Sequence, residues 1–227
     1  MHKMADEDIC QAVVPFLASS TICVSGCSQS GKTTFVAKLL KHLSAMFTGS
    51  TPKKVLYCFS LYQPLFDDIQ QTVPDITFQQ GIPTLEELDC YIKDNDKDLI
   101  LILDDLIHDI VQCKETQLLF TQYAHHRNIT IIYMTQNLFM QGKYARTIAL
   151  NTHVYVVFRN FRDASSIKTL AQQINPGRPQ HLTDAFQDAT SCKYGYLVID
   201  LGPHTNDKLR LRTNIFPDDK TVIYLPK

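Results

Sequence analysis

The sequence predicts an α/β fold with a mostly parallel central sheet, helices on both faces of the sheet, and antiparallel strands added at the C-terminal end. Short apolar runs alternate with segments of helical period as far as residue 174, which is typical of a parallel sheet covered by helices. Further along, apolar runs at 196–200, 209–215 and 221–224 follow one another without helices between them, so we expect antiparallel strands there.

The 227 residues suit one substantial core, and the usual size of domains favours a single domain over 1–227. Within it we expect an N-terminal arm or helix at 1–16 and a strand-rich C-terminal extension at 193–227. Other strands are predicted at 21–25, 55–59, 76–78, 99–103, 129–134 and 153–158. Helices are predicted at 32–47, 84–93, 114–126, 164–174 and 180–189, and a short one ends at 71. Thr84 and Glu87 have the spacing of a capping box, which indicates that a helix begins there.

The composition is that of a globular chain without a strong net charge. Hydrophobic residues make up 44% and the formal net charge is −1, so any contact with nucleic acid must depend on a local excess of positive charge. The seven cysteines are odd in number and form no paired metal-binding pattern, which favours a reducing, intracellular setting. Residues 1–8 are polar and acidic, and no apolar run is long enough to span a bilayer. We therefore expect a soluble protein with no membrane partner.

Residues 26–33 match the phosphate-binding pattern GxxxxGK followed by Ser or Thr, and they lie between an apolar strand and an amphipathic helix, as this pattern requires. The glycines allow consecutive backbone N–H groups to point at phosphate oxygens, and the positive end of the helix adds to the attraction. Lys32 is expected to reach the β- and γ-phosphates, and the hydroxyl of Thr33 to ligate Mg²⁺. The predicted ligands are ATP and Mg²⁺, and the predicted binding residues are Gly26, Cys27, Ser28, Gln29, Ser30, Gly31, Lys32, Thr33 and Thr34.

Two aspartates follow the buried strand predicted at 99–103. Asp104 is predicted to hold Mg²⁺ through water, because a phosphate-binding loop needs a carboxylate across the site. Neighbouring side chains at an extended strand end diverge, so Asp105 could face the attacking water as general base. An Asp after a strand also commonly caps a helix, and that alternative stays open for both residues. Gln136, after the next predicted strand, is a candidate sensor of the γ-phosphate or the lytic water, or else a turn residue.

Several motifs together resemble the HerA/FtsK superfamily of P-loop NTPases. They are residues 26–33, residues 101–105, and Thr135, Gln136 and Asn137 at a strand end. In chain order, the strands at 55–59 and 76–78 stand between the loop strand and the acidic strand. This order suits the division of P-loop enzymes in which an extra strand separates the two motif strands and the base follows the metal-binding Asp.

Within that superfamily, the chain looks most like viral genome-packaging ATPases of the poxvirus and Polinton (Maverick) type. The likeness rests on softer segments that cover nearly the whole chain: 57–64, 133–142, 158–163, 194–197 and 209–212. It implies a ring, expected to be a hexamer, that hydrolyses ATP and pumps double-stranded DNA into a capsid without reading base sequence. ATP would lie between subunits, an arginine would be donated in trans, and capsid proteins would be partners. The implied location is the host nucleus or cytoplasm, or the virion.

Asp105 departs from the pattern of that superfamily, because many members carry Glu at this position. The shorter side chain of Asp105 puts its carboxylate farther from the attacking water than a Glu would.

A local excess of positive charge lies between residues 143 and 168, where five basic residues stand against one acid, Asp163. The basic residues are Lys143, Arg146, Arg159, Arg162 and Lys168. An arginine in trans would offset charge on the transferring phosphoryl group. Arg162 is the first candidate, followed by Arg146 and then Arg159, and each could instead be an ordinary solvated charge. Lys143 could face DNA phosphates in the pore.

Other functions fit parts of the sequence. A P-loop nucleotide kinase needs an acceptor pocket and usually an arginine-rich lid, and the sequence shows no compact lid insertion. A helicase is a further alternative on the same fold. A nucleotide-gated assembly subunit would bind ATP without turnover if Asp105 served only as a helix cap.

Overall fold

The computed structural model describes residues 14–49, 54–92 and 99–226, together with the backbone of residues 2–3. The arm or helix predicted at 1–16 therefore lies mostly outside the described residues. The strands are β1 (His2–Lys3), β2 (Phe16–Leu17), β3 (Thr21–Ser25), β4 (Phe47–Thr48), β5 (Lys54–Phe59), β6 (Ile76–Gln80), β7 (Leu99–Asp104), β8 (Ile129–Thr135), β9 (Val154–Phe158), β10 (Tyr196–Asp200), β11 (Leu211–Thr213) and β12 (Val222–Leu225).

The helices in the described residues range from a single turn to three turns. They are α1 (Lys32–Lys41), α2 (Leu43–Met46), α3 (Leu65–Thr72), α4 (Leu85–Ile92), α5 (Ile107–Gln112), α6 (Lys114–Leu118), α7 (Ala124–Arg127), α8 (Ala145–Leu150), α9 (Ala164–Ile174) and α10 (Pro179–Ala189). A π-helical turn, Leu119–Tyr123, joins α6 to α7. No helix among the described residues has the length and apolar character needed to cross a bilayer.

The main sheet of the described chain has the strand order β1-β12-β11-β10-β9-β3-β8-β7-β5-β6. Strands from β9 to β6 run parallel, and those from β9 to β1 run antiparallel, as the sequence pattern predicted. The strand that separates the loop strand β3 from the acidic strand β7 is β8. The strands β5 and β6, which come between them in chain order, lie beyond β7, because chain order does not determine strand order in a parallel sheet.

Both faces of the sheet are buried under helices, which explains why the strand sequences are continuously apolar. In β7, the odd-numbered residues Leu99, Leu101 and Leu103 pack in a core with residues of α4, α5 and α8 to α10. The even-numbered residues Ile100 and Ile102 pack in a second core with residues of α1, α2 and α3. Because side chains alternate along a strand, Asp104 belongs to the face that carries α1.

Local signals placed most helices correctly. The capping box forms as predicted: the N–H of Thr84 donates to the Glu87 carboxylate at 2.8 Å, and the N–H of Glu87 donates to the Thr84 hydroxyl at 3.1 Å. The helix predicted at 32–47 forms, but as two helices separated at His42, and it ends at Met46. The chain leaves helix α1 after Lys41, makes the short α2, and then pairs β4 with β2.

Candidate phosphate-binding site

The phosphate loop, residues 26–31, joins β3 to α1 and is attached to the neighbouring strands. The N–H of Gly26 donates to the carbonyl oxygen of Thr135, at the end of β8, over 3.1 Å. A Cβ atom at Gly26 would lie 2.6 Å from the Ser30 hydroxyl oxygen and 2.7 Å from the Cβ of Phe158. Only glycine fits here without a shift of the loop or of β9, so the close approach explains the first glycine of the motif.

The loop closes on itself through two left-handed residues and one lysine. Gln29 has φ of 63° and Gly31 has φ of 104°, which turns the chain sharply into α1. The ammonium of Lys32 donates to the carbonyl oxygens of Gly26 at 2.7 Å and Cys27 at 3.0 Å. A lysine ammonium has three donors, so it can hold the loop in shape and still have one for a ligand.

The inside of this loop fits an anion. The hydroxyl of Ser30 is buried and has no hydrogen-bond partner among the residues that the structure describes. The first turn of α1 adds backbone N–H groups that have no carbonyl acceptor within the helix. An unpartnered hydroxyl, a lysine ammonium and a helix N-terminus at one loop are the groups that bind phosphate oxygens in proteins.

Asp104 ends β7 as a buried carboxylate, 5% exposed. The hydroxyl of Tyr57, on β5, donates to its Oδ2 at 2.9 Å. Burial raises the pKa of Asp104 above its ordinary value, while the Tyr57 hydrogen bond and the charge of Lys32 oppose that rise. Burial lowers the pKa of Lys32, and the charges of Asp104 and Asp105 oppose that fall. The ammonium of Lys32 and the two carboxylates therefore lie close enough at this edge of the sheet to interact electrostatically.

The spacing of the strands leaves room for a ligand between the loop and Asp104. The strand β8 stands between β3 and β7, so two strand spacings, about 9–10 Å in all, separate the two motif strands. Thr33 lies in the first turn of α1 on one side of this gap, and Asp104 lies on the other. One hydroxyl and one carboxylate suit Mg²⁺, which in such sites takes most of its ligands from phosphates and water.

Asp105 does not continue the strand. Its φ of 56° is left-handed, so the expectation of an extended strand end is wrong at this residue. Helix α5 begins at Ile107, and its cap position is Leu106, without a side-chain cap hydrogen bond. Asp105 is therefore not the cap residue of α5. Its side chain is exposed, and non-glycine residues held in left-handed backbone are concentrated at functional sites.

Gln136 follows β8 directly and is exposed. It lines a small cavity of about 30 Å³ together with Ser25 and Gly26, at the base of the phosphate loop. Gln136 therefore lies at the same edge of the sheet as the phosphate loop.

The three candidate arginines lie in different surroundings. Arg159 is beside the loop of its own chain: its carbonyl oxygen accepts from the Cys27 thiol at 3.7 Å, and its guanidinium lies 4.6 Å from the Phe161 ring centroid. Arg162 and Arg146 are exposed, and neither lines the two large cavities that border the loop. All three arginines are exposed, so exposure does not separate them. The guanidinium of Arg159 contacts Phe161 and the Thr190 carbonyl oxygen of its own chain, which favours Arg162 and Arg146 as candidates for a neighbouring subunit.

Sequence reasoning assigned no role to two tyrosines at the site. Tyr57 could have been found, because strand alternation puts it on the same face as the end of an adjacent β7. Tyr194 packs against the loop: a Cβ at Gly31 would lie 3.3 Å from its ring. It lies in a turn before β10, within the segment 194–197 that contributed to the family resemblance, but no motif there indicated a role at the site.

No family model matches the sequence, and no curated protein matches it. Among solved structures, it is similar to the genome packaging NTPase B204 from Sulfolobus turreted icosahedral virus 2. The complex of B204 with ATP-gammaS matches with a TM-score of 0.54 and 11% identity over 92% of this chain and 98% of that chain. The chain has a P-loop NTPase fold.

Two further complexes of B204 give the same result. The sulfate complex matches with a TM-score of 0.51 and 12% identity over 92% of this chain and 97% of that chain. The AMPPCP complex matches with a TM-score of 0.51 and 11% identity over 92% of this chain and 98% of that chain. At this identity the likeness concerns the fold, and it extends over nearly all of both chains.

Proposed function

We propose that this chain is an ATP-hydrolysing motor subunit that translocates double-stranded DNA during viral genome packaging. The observation that carries the proposal is the closed phosphate loop with Lys32, facing the buried Asp104 two strands away. Support comes from the fold, which is shared over nearly its full length with a genome packaging NTPase solved with ATP-gammaS. The sequence motifs support placement in the HerA/FtsK superfamily, near the packaging ATPases of the poxvirus and Polinton type.

In this proposal, each group at the loop has one task. Residues 26–34 bind the phosphates of ATP, and Lys32 holds the β- and γ-phosphates. Thr33 and Asp104 would hold Mg²⁺, which when bound would offset the charge that develops on the transferring phosphoryl group. Tyr57 keeps the Asp104 carboxylate oriented.

Turnover needs a group that takes the proton of the attacking water. Asp105 is the proposed base, because its left-handed backbone separates its side chain from that of the buried Asp104. Gln136 would hydrogen-bond the γ-phosphate or the water from the end of β8. We expect Lys32→Ala to abolish ATP binding or hydrolysis, and Asp105→Asn to keep ATP binding and lose turnover.

The motor would work as a homo-oligomeric ring, for which we propose six subunits, around duplex DNA. Arg162 or Arg146 would reach the ATP of the neighbouring subunit, an effect worth about 10³–10⁵ in rate where it occurs. Mixing inactive Arg162→Ala chains with inactive Lys32→Ala chains should restore part of the activity, because mixed interfaces contain one intact site. Capsid proteins are the proposed docking partners.

The experiment is the rate of phosphate release from ATP against the concentration of long duplex DNA. A motor should be stimulated by duplex DNA of any sequence, and the stimulation should fall as salt rises because the contacts are with phosphates. A rate that stays flat over the titration would refute DNA translocation. Tight binding of ATP without any release of phosphate would favour the nucleotide-gated assembly subunit, and transfer of phosphate to a nucleoside would favour a kinase.

A further inference from the structure

A cavity of about 670 Å³ opens beside the phosphate loop, on the side of the C-terminal extension. Thr33 and Thr34, in the first turn of α1, form its end at the loop, and Tyr194 and Phe216 come from the C-terminal part of the chain. This volume lies within the range of pockets that enclose small ligands. The cavity is thus continuous with the surface that would bind phosphate.

The floor of this cavity combines aromatic rings with one ion pair. The ring of Phe35 lies 4.9 Å from that of Tyr196 and 5.2 Å from that of Phe216, measured between centroids. At the far end, the ammonium of Lys38 lies 3.0 Å from the Asp219 carboxylate and 4.5 Å from the Phe216 centroid. These groups present flat apolar surface together with a charged donor and a charged acceptor.

The direction of helix α1 orders these features along one line. Thr34 and Lys38 are four residues apart, so they lie on the same face of the helix. A ligand whose phosphates occupy the loop and the first turn would therefore extend along this face toward the aromatic floor and the Lys38–Asp219 pair.

Tyr194 forms a wall between this cavity and a neighbouring one. Its side chain is 57% exposed, and its backbone is left-handed with φ of 62°. The neighbouring cavity, of about 520 Å³, meets the loop on its other side, at Cys27, and is bordered by Phe161. Only the larger cavity also reaches the first turn of α1, where the phosphate chain would leave the loop.

We propose that the larger cavity binds the nucleoside part of the triphosphate, with the base stacked on Tyr194 and its edge toward the Lys38–Asp219 pair. The inference rests on the proposed nucleotide site, and it assigns a role in binding the base to the C-terminal extension, residues 193–227. A nitrogen heterocycle suits this cavity, because it has a flat face for aromatic stacking and both donors and acceptors at its edge.

The test compares two probes that share phosphates but differ in the base. The affinity of the chain for AMPPCP and for inorganic tripolyphosphate is measured by calorimetry. Tyr194→Ala should weaken AMPPCP binding about five- to 150-fold, the range that corresponds to loss of base–aromatic stacking, and leave tripolyphosphate binding unchanged. Tyr194→Phe keeps the ring and should bind AMPPCP as the unaltered chain does.

Two control variants make the result specific. Tyr62→Ala removes a tyrosine of similar exposure, 56%, that does not line the cavity, and it should leave both affinities unchanged. Phe161→Ala enlarges only the neighbouring cavity, and it should also leave the affinities for AMPPCP and tripolyphosphate unchanged. Selective loss of AMPPCP binding in Phe161→Ala would place the base in that cavity and overturn the proposal.

The remaining outcomes separate this inference from the motor proposal. Equal loss of both probes in Tyr194→Ala would show that Tyr194 acts only by supporting the loop, and no loss at all would show that it binds nothing; either result overturns the base site. If the unaltered chain binds AMPPCP through Tyr194 but duplex DNA does not change its rate of ATP hydrolysis, the base site is supported and the proposal of a DNA motor is refuted.

Discussion

Tyr57→Phe removes one hydroxyl group, the donor of the 2.9 Å hydrogen bond to the buried carboxylate of Asp104. Hydrogen bonds to charged groups contribute about 1.5–3 kcal/mol to stability, against about 0.5–1.5 kcal/mol between neutral groups. Because both side chains are buried, water cannot replace the lost donor, and we expect a cost of about 2–3 kcal/mol at neutral pH. In a domain of this size, each kcal/mol lowers the melting temperature by about 2–4 °C, so Tm should fall by about 4–12 °C.

The cost should depend on pH in a defined direction. Burial raises the pKa of Asp104, and the Tyr57 hydrogen bond opposes that rise, so Tyr57→Phe raises the pKa further. A group whose pKa is raised by folding contributes stability at low pH and loses it as pH rises through the folded-state pKa. The variant should therefore differ most from the unaltered chain where Asp104 is ionised, and the difference should shrink as pH falls and the carboxyl becomes neutral.

The assay is urea unfolding of the unaltered chain and of Tyr57→Phe at a series of pH values from neutral to acidic. Tyr133→Phe is the matched control. Tyr133 is also fully buried, and its hydroxyl shares a 2.8 Å hydrogen bond with the neutral hydroxyl of Thr152. Tyr133→Phe should cost about 0.5–1.5 kcal/mol at every pH. If the two variants cost the same and neither cost varies with pH, the argument that Tyr57 stabilises an ionised Asp104 is refuted.

Two further substitutions test the loop and the C-terminal strands. Gly26→Ala should destabilise the chain by about 1–3 kcal/mol through overpacking and reduce AMPPCP binding, because its Cβ would lie 2.6 Å from the Ser30 hydroxyl oxygen. Gly177→Ala, whose nearest neighbour would be at 3.8 Å, is the control, and calorimetric binding should not distinguish it from the unaltered chain. Arg212→Met leaves the buried Asp200 without the partner now at 2.9 Å, and should cost about 3–5 kcal/mol in urea unfolding. A cost near zero would mean that this ion pair does not hold β10 and β11 together.

The parallel sheet was predictable because burial on both faces leaves a clear trace in the sequence. The aliphatic run of β7 was placed at 99–103 and forms Leu99–Asp104. The short helices α5 and α8 were not predicted, because six residues make fewer than two turns and show no clear period. The sequence suited one extra strand between β3 and β7, but it did not show that this strand is β8, which follows β7 in the chain and is placed by tertiary packing.

The site could be predicted where its chemistry depends on residues close in the chain. Residues 26–33 carry a local pattern, and Asp104 follows from the end of a recognisable strand. Asp105 was expected in extended backbone, and nothing in the local sequence indicated its left-handed turn. The contact of Tyr194 with Gly31 joins distant parts of the chain and follows only from the folded structure. Strand alternation gives the face on which Tyr57 lies, and its contact with Asp104 then depends on the pairing of β5 with β7.

The effect of Mg²⁺ on AMPPCP binding tests most directly whether the phosphate loop and Asp104 hold one metal-bound triphosphate between them. The affinity is measured with Mg²⁺ and with a chelator, for the unaltered chain and for Asp104→Asn, whose amide can still accept from Tyr57. The account predicts that Mg²⁺ strengthens binding to the unaltered chain and that most of this gain disappears in Asp104→Asn. An equal gain in both chains would contradict the account, because the metal would then be held without Asp104.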